Sequence, residues 1–309
     1  MKAKQIVFRI SQIMAIALIF GFILKNLVEN WRAVKHYSWQ VNYFWLGSSF
    51  LLGFLAYLFL VFVWREVLKS SGRTPSLARV YKVWFFSNLG RYLPGKIWTF
   101  VSVVYLLEKE GVTAQRSLYT SILAQAMSVI SGLILAAIFL GYRCYFKLRL
   151  GWPMLVPACV LLFGFITLTI FPKTLVRTIN LFLGIFKKQT IDFDLKREDL
   201  FRFLTLYALS WFLFGFAFLV FIKSITSLNW NLYLDLTAAF SGSMTLGFLA
   251  LFAPGGIGVR EGILSAILSI YFPLGISVMV SLLSRMWITL IELVCFLTGL
   301  AIRPSSKGS

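Results

Sequence analysis

Acidic side chains, histidine and cysteine are all scarce in this sequence. Its 309 residues include 11 aspartates and glutamates against 30 lysines and arginines, with one histidine and three cysteines. A metal centre or a disulfide framework needs several ligands or thiols that converge. The isolated residues His36, Cys144, Cys159 and Cys295 favour neither, so the sequence predicts no metal site and no cofactor.

Apolar residues, by contrast, dominate the chain. They make up 59% of it, charged residues make up 13%, and the mean hydropathy is +0.84, which together indicate an integral membrane protein. Crossing a bilayer core takes about 20 residues. Six runs of about this length predict transmembrane helices at residues 6–25, 42–64, 117–141, 152–172, 202–222 and 275–302. The first run lacks a small-x-small cleavage site, so it predicts a membrane helix rather than a signal peptide.

Two further apolar stretches are each interrupted by a Pro-Gly pair. Residues 84–107 contain "YLPGKIW", and residues 236–272 contain "FAPGGIG". Proline lacks a backbone donor and glycine is a poor helix former, so we expect the helix to break at Pro94 and at Pro254. The freed backbone groups cannot face lipid, so each break is buried in protein or lines a wet cavity. Each stretch is either a re-entrant hairpin or a pair of crossings.

The order of these segments repeats within the chain. Span, span, broken stretch and span occur over residues 6–141 and again over residues 152–302. Each copy contains three crossings, so the second is inverted relative to the first. The predicted fold is an all-α polytopic membrane protein, one integral domain over residues 1–309, with about six full transmembrane helices plus two interrupted hairpins in an inverted-topology repeat. In transporters this arrangement places the substrate near the membrane midplane; a duplicated structural hairpin without a site is the alternative.

Positive charge is distributed unevenly among the loops. Most lysines and arginines lie near the N-terminus, in residues 65–82, in residues 173–202 and near the C-terminus, segments that would share one side of the membrane. The positive-inside rule then predicts that both termini are cytoplasmic. The isoelectric point of about 10.1 could also indicate nucleic-acid binding. Because the cations alternate with spans, topology and attraction to anionic lipids explain them, and no nucleic-acid partner is predicted.

A few charged residues lie at predicted membrane depth. They are the cations Arg91, Lys96, Arg260 and Arg285 and the acids Asp235, Glu261 and Glu292. An unpaired charge at the bilayer centre costs about 2.5 to 3.5 kcal/mol, so each should have a partner or a function. Arg285 and Glu292 are seven positions apart on one helix face, and we expect them to pair with the broken stretches rather than with each other.

The segment "APGGIGVREG", residues 253–262, combines a break with an Arg-Glu pair. In one interpretation the glycines let a ligand approach the backbone, Arg260 contacts a phosphate, and Glu261 orients that arginine or carries a coupled proton. In the other, the same residues satisfy loose backbone groups and bind nothing. Asp235 and Glu292 are candidates for a coupling or supporting role.

These motifs resemble a known family. "APGGIGVREGIL" and "NLGRYLPGKIW" are similar to the two signatures of the transmembrane region of lysylphosphatidylglycerol synthetases, and the resemblance covers about residues 5–302. Many relatives carry a Gly-Glu pair after the first proline turn, where this chain has "KIWT", so the role of that glutamate does not transfer. The matching motif positions imply substrate-binding roles for Pro94, Gly95, Pro254, Gly255, Gly256, Gly258, Arg260 and Glu261.

The resemblance implies lipid handling. In two-domain relatives this region is regarded as a flippase for an aminoacylated phospholipid that a soluble domain makes. Here only "PSSKGS" follows Arg303, so we expect a stand-alone member without that domain. Other stand-alone relatives are associated with polyprenyl-linked sugar, glycolipid or hopanoid pathways.

The leading hypothesis is a translocase, rather than an enzyme, in the cytoplasmic (inner) membrane of a prokaryote. It would move an anionic phospholipid, glycolipid or polyprenyl-linked lipid whose headgroup contacts Arg91, Lys96 and Arg260, with Arg285 also in the site. The alternatives are a membrane-embedded transferase that uses Glu261 with Asp235, and a non-transporting accessory subunit. Lipids with anionic headgroups are the predicted partners; a separate lipid-modifying enzyme and a homo-oligomer stay open.

Overall fold

The structure, a computed structural model, describes residues 39–72, 74–92, 97–143, 196–250 and 252–302, and a few positions outside these ranges. Within these ranges it contains eight α-helices and no strand. The helices are α1 Tyr43–Ser70, α2 Leu77–Asn88, α3 Ile97–Glu108, α4 Ala114–Tyr142, α5 Arg197–Ile225, α6 Tyr233–Leu249, α7 Val259–Leu268 and α8 Leu274–Leu300.

Four of these helices, α1, α4, α5 and α8, are long and apolar enough to cross a membrane. They correspond to four of the six predicted spans and confirm a multi-pass membrane protein. The spans predicted at residues 6–25 and 152–172 lie outside the described ranges. Helices α1, α4 and α5 have 28 or 29 residues and are longer than the predicted spans, whereas α8, with 27 residues, matches its predicted span to within two residues at either end. At 1.5 Å per residue, each of the four helices measures about 40 Å. Their ends therefore extend beyond the hydrocarbon core of the bilayer, which is about 30 Å thick.

The helix breaks fall where the two Pro-Gly pairs predict them. We call residues 89–96 the first break and residues 250–258 the second break. Helix α2 ends before the first break and α3 begins after it, although Pro94, Gly95 and Lys96 themselves lie outside the described ranges. Helix α6 ends at the second break, where a short 3-10 turn at Pro254–Gly256 precedes α7.

The outer ends of each broken stretch lie close together. At the first stretch, Nη1 of Arg79 near the start of α2 lies 3.2 Å from Oε2 of Glu110, just beyond the end of α3. At the second stretch, Arg143 at the end of α4 bridges the two outer ends. Its guanidinium lies 3.8 Å from the Asp235 carboxylate in the first turn of α6 and 5.2 Å from the ring centre of Tyr271, beyond α7. The two helices of each stretch therefore start and finish as neighbours.

The contacts between helices follow the order of the two halves, α1 to α4 and α5 to α8. Helix α2 packs on α8, and its counterpart α6 packs on α4; α3 packs on α4, and α7 packs on α8. Helix α1 contacts its own counterpart α5, and the two breaks contact each other. Exchanging α1–α4 with α5–α8 therefore reproduces the contacts among the eight described helices.

Aromatic rings fill the core where α5, α6 and α8 meet. Phe221 stacks on Trp287 with ring centres 5.1 Å apart, and Phe218 lies 5.0 Å from Phe240. All four side chains are buried. Large rings give these spans an extensive packed interface, which fixes Phe240 in position beside the second break.

Candidate functional site

The second break is a glycine turn that lies directly on α6. Gly255, Gly256 and Gly258 all have positive φ angles, which side-chain-bearing residues rarely adopt. A Cβ atom on Gly256 would lie 2.9 Å from the carbonyl oxygen of Gly247 in α6. The sequence predicts that these glycines let a ligand approach the backbone closely. At Gly256 it is helix α6 of the protein itself that lies this close.

Glu261 holds the start of α7 in place. Its Oε2 accepts the backbone N–H of Gly258 at 2.7 Å, as in a capping box, and its Oε1 accepts Nη1 of Arg285 at 2.8 Å. The same Nη1 lies 3.3 Å from the carbonyl oxygen of Gly255. The carboxylate is 3% exposed and makes no ion pair with Arg260. The hypothesis that Glu261 orients Arg260 is therefore wrong: capping and Arg285 occupy both carboxylate oxygens.

Arg260, the neighbour of Glu261 in sequence, points to different surroundings. It is 6% exposed, and its guanidinium lies 5.7 Å from the ring centre of Phe240. Its Nη2 atom is buried without a hydrogen-bond partner, and no carboxylate of the described residues lies within ion-pair distance of the guanidinium. A buried donor without a partner is costly, so this arginine calls for a ligand or water.

The first break is anchored by an ion pair of its own. Nη2 of Arg91 lies 2.7 Å from Oε2 of Glu292 in α8, and the hydroxyl of Tyr57 in α1 donates to Oε1 of the same carboxylate. A Cβ atom on Gly90 would lie 2.7 Å from the backbone nitrogen of Thr99, so this break lies directly against the start of α3.

Helix α8 therefore contacts both breaks through charged side chains. Arg285 contacts the second break and Glu292 the first, and seven residues of helix separate them by about 10.5 Å. The prediction that these two residues pair with the broken stretches, and not with each other, is confirmed.

Between the two breaks lies a cavity of about 240 Å³ to which all eight described helices contribute. Its charged lining residues, within the described part of the chain, are Arg91, Arg260, Arg285 and Glu292. Three more lining residues carry buried polar atoms that have no hydrogen-bond partner, namely Trp84 Nε1, Tyr207 Oη and Thr245 Oγ1. Unpartnered polar groups on residues that line a cavity inside a membrane protein are suited to bind the oxygens of a polar ligand.

Asp235 does not join this cluster. It lies in the first turn of α6, twelve residues from Gly247, or about 18 Å along the helix, and its carboxylate is paired with Arg143. Asp235 does not line the cavity, and the coupling or supporting role predicted for it stays a prediction. Conversely, Tyr57, Trp84 and Tyr207 were not predicted as site residues, because their only signal in the sequence is a polar tip within an apolar helix. In the described ranges no group of three His, Cys, Asp or Glu side chains could hold a metal.

The fold and this cavity define a polytopic α-helical membrane protein with a polar site between two broken helix pairs. The chain belongs to the family of the lysylphosphatidylglycerol synthase TM region, whose sequence model matches residues 9–295. This confirms the resemblance seen in the two motifs, and the family suggests a function connected with membrane lipids. Searches of curated proteins and of solved structures gave no significant match.

Proposed function

We propose that this protein is a translocase that moves a lipid with an anionic headgroup across the cytoplasmic membrane of a prokaryote. The lipid would be a phospholipid, a glycolipid or a polyprenyl-linked lipid. The observation that carries the proposal is Arg260: a buried guanidinium, without an ion-pair partner in the described ranges, that lines a cavity between two helix breaks.

The size and lining of the cavity suit a headgroup rather than a whole lipid. Its volume of about 240 Å³ is below the roughly 300 to 1,000 Å³ of pockets that enclose a drug-sized ligand. A headgroup would occupy it while the acyl or prenyl chains stay in the bilayer. Arginine side chains and unpartnered donors would replace part of the headgroup's hydration and lower its cost of crossing.

The arrangement of the helices supports a transport cycle. We propose that α2 with α3, and α6 with α7, are re-entrant hairpins in two halves of inverted topology with both termini cytoplasmic. The adjacent outer ends of each stretch and the exchangeable contacts of the halves favour this arrangement. Each hairpin is tied to α8 by one ion pair, so rocking of one half would break a pair and open the cavity to one side.

The geometry does not favour the transferase hypothesis. That hypothesis needs Glu261 and Asp235 to act together as an acid and a base. Asp235 pairs with Arg143 at the outer end of the second stretch, and Glu261 is occupied by the Gly258 N–H and by Arg285. These two carboxylates cannot share one substrate atom in this arrangement.

The direct test is lipid translocation in proteoliposomes. Tail-labelled anionic lipids are reconstituted with the protein, and a membrane-impermeant quencher reports how much label changes leaflet, with and without a proton gradient. We expect translocation by the wild-type protein, loss in Arg260→Gln, and near-normal rates in Arg143→Gln. The second variant removes an arginine that lies outside the cavity. Failure to move any lipid of a broad anionic panel would refute the proposal.

A further inference from the structure

The charges at the cavity do not balance. Among the described charged residues, Glu292, which lines the cavity, is bound to Arg91, and Glu261, which lies just outside the lining, is bound to the lining residue Arg285. Arg260 is the third arginine, and neither carboxylate lies within ion-pair distance of it. The described cluster therefore carries one uncompensated positive charge, and this charge is localised on one buried guanidinium.

The size of this charge imbalance limits the net charge of the ligand that the cavity can hold. The ring of Phe240 gives the guanidinium a cation–π contact, but it supplies no negative charge. A ligand with one negative charge would neutralise the excess charge of the described cluster. A dianion would leave one excess negative charge, and a zwitterion would bring a second cation into the cavity; both leave a net charge in a low-dielectric site.

We infer that the cavity selects a monoanionic phosphodiester headgroup, with Arg260 as the residue that recognises it. This inference rests on the proposed function for the ligand being a lipid. A phosphodiester carries one charge at neutral pH, whereas a phosphomonoester, with a second pKa of about 6, carries nearly two. The planar guanidinium matches two phosphate oxygens at once.

The neutral lining adds to this match. Tyr207, Thr245 and Trp84 line the same cavity, and the two hydroxyls and the indole N–H are buried without hydrogen-bond partners. They would donate to further oxygens of the headgroup without changing the charge count. Arg91 and Arg285 hold the two breaks through their glutamates, so in this state they serve the scaffold.

The preference for a headgroup with one negative charge, which we call the charge rule, can be tested by measuring lipid binding. Short-chain phosphatidylglycerol, phosphatidylcholine and phosphatidic acid are titrated at about pH 8, where the phosphomonoester is mostly dianionic. The tryptophans of the cavity wall, Trp64, Trp84 and Trp211, report binding by fluorescence. We expect phosphatidylglycerol to bind about tenfold tighter than either competitor. Arg260→Met should abolish this preference, and Arg143→Gln should retain it.

A second variant changes the charge count without touching Arg260. Glu292→Gln adds one positive charge to the cluster, so its preference should move from phosphatidylglycerol towards phosphatidic acid. Equal binding of phosphatidylcholine by the wild type, unchanged binding in Arg260→Met, or unchanged selectivity in Glu292→Gln would each overturn the inference. The Glu292→Gln result stands even if Arg260→Met does not fold.

Soluble dimethyl phosphate, a phosphodiester without chains, separates the ligand class from its source. If it competes with phosphatidylglycerol, the phosphodiester itself is recognised. If it binds while phosphatidylglycerol does not, the ligand is a soluble phosphodiester; the charge rule then holds and the lipid translocase fails. Conversely, translocation without the monoanion preference would leave the translocase intact and refute the charge rule.

Discussion

The two breaks occupy matching places in the two halves, yet their charges are arranged in opposite senses. The first break presents a cation, Arg91, to a carboxylate on α8, whereas α7, directly after the second break, presents a carboxylate, Glu261, to an arginine on α8. Either polarity ties a break to α8. The second stretch differs by one further charged residue, Arg260 in the first turn of α7, which the described ion pairs do not include. The comparison teaches that pairing with α8 holds the breaks, whereas the additional arginine gives the cavity its charge.

The same contrast holds for the spans that follow each break. Helix α8 contributes two charged side chains to the cavity region, whereas its counterpart α4 contributes neutral groups, among them Ser121, Gln125 and Ser128. The halves therefore share their packing but not their electrostatics. Substitutions at matching positions should separate these two properties, and the predictions below run from the largest expected change in stability to the smallest.

The largest loss of stability should come from Glu261→Gln. Glutamine can keep the cap on the Gly258 N–H but leaves Arg285 without a counter-charge, and breaking a buried pair in this way costs about 3 to 5 kcal/mol. Thermal unfolding in detergent would measure it. The matching change at the first break, Glu292→Gln, should cost less because the Arg91 side chain is 36% exposed. An equal or larger loss in Glu292→Gln would contradict the proposed difference.

Next in size is Gly256→Ala. The added Cβ atom would lie 2.9 Å from the oxygen of Gly247 at a positive φ angle, and we expect a loss of about 1 to 3 kcal/mol in unfolding free energy. Gly262→Ala, in α7 with open space around it, is the matched control and should stabilise the protein by up to about 1 kcal/mol. Similar melting temperatures for the two variants would show that the turn does not need a glycine at 256.

A smaller change of opposite sign is expected for Arg260→Met. Removing a buried charge that lacks an ion pair relieves a desolvation cost, so the lipid-free protein should melt a few degrees higher, at about 2 to 4 °C per kcal/mol. Binding and translocation of anionic lipid should be lost in the same variant. A lower melting temperature would indicate that Arg260 supports the fold.

The smallest effect is expected for Arg143→Gln. Its ion pair with Asp235 is long, at 3.8 Å, and its side chain is 25% exposed, so its contribution should stay below about 1 kcal/mol. The same unfolding assay checks this. A loss as large as that of Glu261→Gln would mean that the outer end of the second stretch, rather than the break, controls stability.

Sequence periodicity predicted the parts of the molecule that depend on local chemistry. Apolar runs located four described spans, proline and glycine located the second break, and seven-residue spacing placed Arg285 and Glu292 on one face. It failed where contacts depend on which helices pack together. Tyr57 and Glu292 lie 235 positions apart, and no local pattern signals their hydrogen bond. Likewise, adjacency in sequence wrongly linked Glu261 to Arg260, because successive side chains of a helix point in different directions.

That divergence of two neighbouring side chains also bears on how such a protein can evolve. Position 261 belongs to the scaffold, where a change disturbs a cap and a buried ion pair at once. The guanidinium of Arg260 takes part in neither the cap nor that ion pair, so a substitution of this side chain should alter the proposed ligand site while the turn stays intact. A lineage could therefore acquire a new headgroup preference by a single codon change, without first acquiring compensating changes in the rest of the fold.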